Sequence, residues 1–158
     1  MTEATHLVKA EQIKTAVDLD KVEDDTLAVF CFSDQRPLQG VPALLDWRLA
    51  GRISRRLKSG LFVGEAADHL LLWDPRYQNG RKIFLFGLGD IGNCKAKTIK
   101  DSCAKAIKVM RDAGISNIVF LAPKLYGESK LEDDFLKAVK KHFKEDIKAV
   151  LFQGKTDE

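Results

Sequence analysis

The feature that most constrains this chain is the alternation in its second half. From residue 82 to residue 152, strand-length apolar runs take turns with segments of helical periodicity. Lys82 to Leu88 is one such run. Ala96 to Ala113 then has helical spacing and stops at Gly114. Ile115 to Ala122 follows and is closed by Pro123; Leu131 to Phe143 sets Phe135, Leu136, Val139 and Phe143 on one helical side; Ile147 to Phe152 is a last strand. Successive strands and helices bury their apolar faces when the strands run parallel and the helices cross over them, and such crossovers are right-handed. The second half therefore predicts a parallel sheet flanked by helices.

The first half adds strands of another kind. Thr26 to Phe32 is apolar on both alternating faces, the pattern of a central strand covered on both sides. Ser33 to Gly40 breaks it with turn residues and Pro37. Ala43 to Lys58 is expected to be one helix. Leu45, Leu49, Ile53 and Leu57 recur every four residues there, with Leu44 and Trp47 widening the apolar face. Gly60 stops that helix, Leu61 to Val63 is read as a short strand, and His69 to Trp73 as another. Asn79-Gly80 is a strong hairpin turn, so the strand from Lys82 is expected to return antiparallel to His69–Trp73. Ile13, Thr15 and Val17 alternate around Lys14 and suggest an early strand after a loose arm at residues 1–11. The predicted architecture is α/β, a three-layer α/β/α domain with a mixed, mostly parallel sheet.

Length and charge narrow the classes of function. The 158 residues suffice for one domain with a proper core and are too few for two comfortable ones. The polar start, Met1 to His6, is no secretory signal, and the apolar runs fall short of the roughly 18 residues of a membrane helix. A cytoplasmic protein without membrane contact is expected. Cys31, Cys94 and Cys103 show no metal or disulfide spacing, and His6, His69 and His142 share no ligand spacing. No metal, cofactor or catalytic set is expected. Cys94, near a helix start, has two readings: a thiol of lowered pKa or a small buried side chain. The net charge of +3 does not by itself argue for nucleic acid.

Two surfaces could carry function. Gly87-x-Gly89-x-x-Gly92 follows a predicted strand and precedes a helix, as a dinucleotide fingerprint does, with Asn93 beside it. Against that, the next strand ends Ala122-Pro123-Lys124 and lacks the acid expected for a ribose hydroxyl. A tight strand-to-helix turn explains the same glycines. The second surface is Arg48, Arg52, Arg55 and Arg56, spaced i, i+4, i+7 and i+8 along one flank of the predicted helix, with Trp47 next to them. Such a stripe contacts phosphates or a protein partner, or it is a solvated face paired with acids such as Asp46, Glu65 or Asp68.

Several stretches together resemble the N-terminal domain of the M17 leucyl aminopeptidases. Asp25-Thr26-Leu27-Ala28-Val29 resembles the family's opening "D-A-L-V-V" strand, and Gly60-Leu61-Phe62-Val63-Gly64 its "G-D-F-x-G" segment. Leu70-Leu71-Leu72 and Ile83 to Gly89 resemble its "L-L-L" and "V-L-L-V-G-L-G" strands. Order and spacing, more than any one motif, carry the resemblance over residues 12–152.

The resemblance implies a macro-domain-like fold over residues 12–153, with an arm at 1–11 and a tail at 154–158. Family enzymes continue into a second domain with a two-metal site and an N-T-D-A-E-G-R-like segment, and that segment is not found here. The resemblance thus implies a non-catalytic, regulatory or protein-interaction module. Its partner would be a second copy or a full-length aminopeptidase. Two alternatives stay open. One is a macro-domain-type nucleotide or ADP-ribose binder at Gly87, Gly89, Gly92 and Asn93, although Cys31-Phe32-Ser33-Asp34 lacks the asparagines of such sites. The other is weak nucleic-acid binding through the arginines, since some full-length members bind DNA.

Overall fold

Six consecutive buried residues, Thr26–Cys31, form the central strand β1. The computed structural model describes residues 26–76, 80–115, 118–121, 133–135, 137–138 and 147–151. Thr26, Ala28 and Phe30 point to one face of β1, and Leu27, Val29 and Cys31 to the other. All six are buried, so both faces of the sheet are covered at its centre. The remaining strands are β2 (His69–Asp74), β3 (Arg81–Gly87), β4 (Ile118–Leu121) and β5 (Ile147–Leu151), in the order β2-β3-β1-β4-β5. β3, β1, β4 and β5 are mutually parallel, and β2 is antiparallel to β3, pairing His69 with Phe86 and Asp74 with Arg81. The sheet is mixed and mostly parallel, as the alternation and the Asn79-Gly80 turn predict. Residues 77–79 of that turn lie outside the described residues, as does the early strand expected at residues 13–17.

The helices are α1 (Gly40–Arg48), α2 (Arg52–Ser59) and α3 (Ala96–Asp112), with a short 3₁₀ turn at Ile91–Asn93. Helical backbone also occurs at 133–135 and 137–138, inside the helix predicted from Leu131 to Phe143. Phe135 from that segment meets Phe30 edge-on at a centroid distance of 5.1 Å. Phe30 also packs on Phe86 at 5.5 Å and on Phe120 at 5.4 Å. Three neighbouring strands and a helix thus share one aromatic cluster. Each such pair contributes roughly 0.5–1.5 kcal/mol beyond the area it buries.

Two sequence expectations fail, for identifiable reasons. The single helix expected from Ala43 to Lys58 is two helices. Ala50 and Gly51 take left-handed backbone, with φ of 54° and 79°, and no right-handed helix passes through such a pair. Leu45, Leu49, Ile53 and Leu57 are nevertheless all buried, because both short helices turn the same periodic residues inward. Trp47 does not join them; it is 73% exposed. The strand expected at Leu61 to Val63 is irregular. Its Val63 N–H donates to the Asp68 carboxylate at 3.1 Å rather than to a neighbouring strand.

Candidate functional site

In a parallel sheet, loops leaving the carboxyl ends of the strands form the usual ligand mouth. Here that mouth collects the loop after β1 (residues 32–39), the segment at 63–68 and the loop after β3 (residues 88–95). The glycine motif lies at its centre, and the chain's own groups knit it together. Gly87 N–H donates to Asp68 O at 3.0 Å, Gly89 N–H to Gly64 O at 2.9 Å, and Ser33 N–H to Gly89 O at 2.8 Å. Leu88 N–H reaches Cys31 O at 2.9 Å. A Cβ on Gly87 would lie 1.9 Å from Glu65 O and 2.5 Å from the Gly64 carbonyl carbon. That position takes glycine because another stretch of backbone crosses it.

The 3₁₀ turn is likewise occupied from within. Ile91 N–H donates to Asp34 Oδ1 at 3.0 Å, and the Asn93 side-chain amide donates to both Asp90 oxygens at 3.0 and 2.8 Å. The backbone N–H groups of Asn93 and Cys94 go to Asp90 O and Ile91 O. Among the described residues, the Asp90 and Gly92 amides have no such partner, and the other amides of residues 87–94 do. α3 starts four residues beyond Gly92, at Ala96, so the motif does not open the helix. The Thr98 hydroxyl accepts from Lys95 N–H at 3.2 Å at that helix start.

Sequence reasoning missed two groups that organise this mouth. Asp34 supplies the carboxylate on Ile91. Arg36 donates to Phe32 O at 3.1 Å and to Val63 O at 3.2 Å, holding two of the loops together. Both lie in a polar turn, where a side chain's long-range partner leaves no mark in local spacing.

The arginines do not form one flank, because the break at Ala50 and Gly51 sets Arg48 on α1 and Arg52, Arg55 and Arg56 on α2. Arg52 donates to Trp73 O at 2.8 Å, on the outer edge of β2, and Arg55 donates to Ala50 O at 2.8 Å. Asp46 pairs with none of them. Its carboxylate accepts Ile53 N–H at 2.8 Å, Ser54 N–H at 3.1 Å and the Ser54 hydroxyl, and so caps the start of α2 from the helix before. Next to this cap Trp47 stands over a surface cleft of about 560 Å³, whose walls include Pro37, Leu38, Ala43 and Ser54. A smaller cleft of about 250 Å³ shares Pro37, Leu38 and Ser54 and runs on to Lys58.

All three cysteines are buried. Burial pushes the Cys31 thiol up to about 12 and raises Cys103 as well. Cys94 is buried too, which fits the second of its two readings. Among the described residues, no group of three or more His, Cys, Asp or Glu could hold a metal ion, and no helix is long and apolar enough to cross a membrane.

The family model "Cytosol aminopeptidase family, N-terminal domain" matches residues 28–150. Among solved structures, a mutant tomato leucine aminopeptidase is similar at 18% identity and a TM-score of 0.60, covering 100% of this chain and 35% of that one. The chain thus spans about a third of that relative. The macrodomain of Thermus aquaticus DarG is similar at 11% identity and a TM-score of 0.55, covering 86% of this chain and 93% of that one. At such identities the likeness is one of fold, α/β and macro-domain-like. A search of the curated proteins finds no match.

Proposed function

From the premise that the chain belongs to the N-terminal domain of the cytosol aminopeptidase family, we propose that it acts as a non-catalytic protein-docking module, with Trp47 as its anchor. The observation that carries this reading is Trp47 itself, 73% exposed beside a cleft of about 560 Å³. Tryptophan and arginine are the side chains most enriched among residues that dominate protein interfaces. From Trp47 to Gly64 the sequence has no acidic residue, while Arg48, Arg52, Arg55, Arg56 and Lys58 supply positive charge. The partner that fits is a protein presenting an apolar side chain within an acidic rim. A full-length aminopeptidase or a second copy of this chain is the first to try.

A ligand site at Gly87, Gly89, Gly92 and Asn93 is the weaker reading. Most amides a phosphate would use there already donate within the chain. Calorimetry with ADP-ribose is expected to show no heat of binding; a saturable heat lost on Asp34→Arg would favour that reading instead.

Two measurements test the proposal. Sedimentation of the chain with a full-length leucine aminopeptidase, and alone at rising concentration, is expected to show a complex that Trp47→Ser weakens by about thirtyfold. Equal association of the variant would exclude Trp47 as the anchor. In the second, the purified chain with zinc or manganese is expected to leave leucyl chromogenic substrates intact. Metal-dependent turnover that follows the chain through purification would overturn the non-catalytic reading.

A further inference from the structure

β2 lies at one edge of the described sheet. Hydrogen bonding alternates along an antiparallel strand, so every second residue turns its backbone groups away from its neighbour. Two bonds fix which residues these are in β2. Asp68 O accepts from Gly87 N–H on the β3 side, whereas Trp73 O accepts from Arg52 on the outer side. His69, Leu71 and Trp73 therefore turn their N–H and C=O groups outward. Among the described residues, no strand pairs with them.

The side chains of the same three residues share one face of the sheet. They continue the row of Phe84 and Phe86 on β3, which lie opposite Leu71 and His69. All three are exposed, Leu71 by 49% and Trp73 by 48%. An edge strand that stays single is usually blunted by lysine, proline or a bulge. β2 reads His-Leu-Leu-Leu-Trp-Asp and pairs with β3 residue for residue, so it has none of these. The two ends of this edge differ in charge. Glu65 and Asp68 precede its start, while Arg52 and Arg76 sit at its end.

We propose that this edge pairs with the same edge of a second copy, antiparallel about a twofold axis at Leu71, so that two sheets become one. Centring the axis on Leu71 uses all three outward-facing residues: Leu71 faces Leu71 of the second copy, and Trp73 faces His69. Antiparallel pairing also brings the basic end of each β2 to the acidic start of the other, with Arg52 and Arg76 approaching Asp68 and Glu65. Arg52 does not block the ladder, because a carbonyl oxygen accepts two bonds and Trp73 O has given only one. Pairing removes Leu71 and Trp73 from water and extends the Phe84–Phe86 row from one copy into the next. The Trp47 cleft takes no part in this contact.

The test is position-specific disulfide formation in the full chain under oxidised glutathione; the native cysteines are all buried and do not compete. Directly opposite residues of a hydrogen-bonded antiparallel pair stand about 5.5 Å apart at Cα, within reach of a disulfide. Leu71→Cys is expected to give a covalent dimer at rising concentration. Trp73→Cys alone is expected to stay monomeric, because its twofold mate lies about 14 Å away, and to form a dimer when mixed with His69→Cys. Without added cysteine, Leu71→Lys is expected to weaken self-association in sedimentation about tenfold or more, since it sets like charges opposite each other. Trp47→Ser is expected to leave the Leu71→Cys dimer unchanged, and self-association through Trp47 is read in Leu71→Lys, so either proposal can fail alone. A Leu71→Cys chain that stays monomeric, equal dimer yields from Leu71→Cys and from Trp73→Cys alone, or undiminished edge pairing in Leu71→Lys would overturn the proposal.

Discussion

At the scale of single residues, Asp46 and Gly87 each hold two segments in place. Asp46 accepts two backbone N–H bonds and one hydroxyl from the start of α2. Replacing it with alanine strands the buried Ile53 N–H and frees the part-buried Ser54 donors to water. Asp46→Ala should lower unfolding free energy by about 1–3 kcal/mol, combining a lost cap with one unsatisfied buried N–H group. Denaturant unfolding measures this; a loss below about 0.5 kcal/mol would mean the cap is replaceable by water. Gly87 is the other position. Since a Cβ there would meet Glu65 O at 1.9 Å, Gly87→Ala must push β3 or the 64–65 segment aside. The expected result is a loss of about 2 kcal/mol or more, in the range of overpacked sites. Wild-type stability in that variant would show that the crossing is loose.

At the scale of elements, β2 is one edge of the described sheet and the place where pH should act. Asp74, buried at the end of β2, takes bonds from the Arg76 guanidinium at 2.9 and 2.8 Å. That contact holds its carboxyl below the ordinary carboxylate value. A depressed folded-state pKa contributes stability that is present above the unfolded value and is lost as pH falls through the folded one. The effect is modest, because Arg76 is half exposed and solvent screens the pair. Asp74→Asn should therefore flatten the acid limb of the stability profile while leaving its neutral-to-basic side parallel to wild type. An unchanged acid limb would assign that loss to other carboxylates.

The elements also show how far the sequence carries. Strand–helix alternation from residue 82 and the Asn79-Gly80 turn predict the parallel strands and the antiparallel edge, because period and turn chemistry are local properties. The division of residues 40–59 into two helices is not visible in that way. The fourfold spacing of Leu45, Leu49, Ile53 and Leu57 survives a reversal at Ala50 and Gly51, so the pattern fits one helix or two. The same spacing sets Trp47 on the widened apolar face as well as beside the arginines, and the reversal leaves it exposed. The glycines at 87 and 89 follow a similar logic. Their spacing matches a phosphate loop, but what requires a glycine at 87 is the 64–65 backbone, a contact between segments 22 residues apart.

At the scale of the whole molecule, the domain closes its strand mouth with its own backbone and carboxylates and presents its most exposed tryptophan elsewhere. A family fold that spans about a third of the tomato leucine aminopeptidase chain here offers five basic residues between Trp47 and Gly64, with Asp46 tied up as the cap of α2. The docking account places specificity in Trp47 and in the charge around it. The most direct measurement is site-specific photo-crosslinking from position 43, which lines the Trp47 cleft and leaves the tryptophan in place, compared with position 113 at the exposed end of α3. One discrete crosslinked protein is expected from position 43, competed away by excess wild-type chain but not by Trp47→Ser, and none from position 113. Indiscriminate crosslinking from both positions, or competition that Trp47→Ser performs equally well, would contradict it.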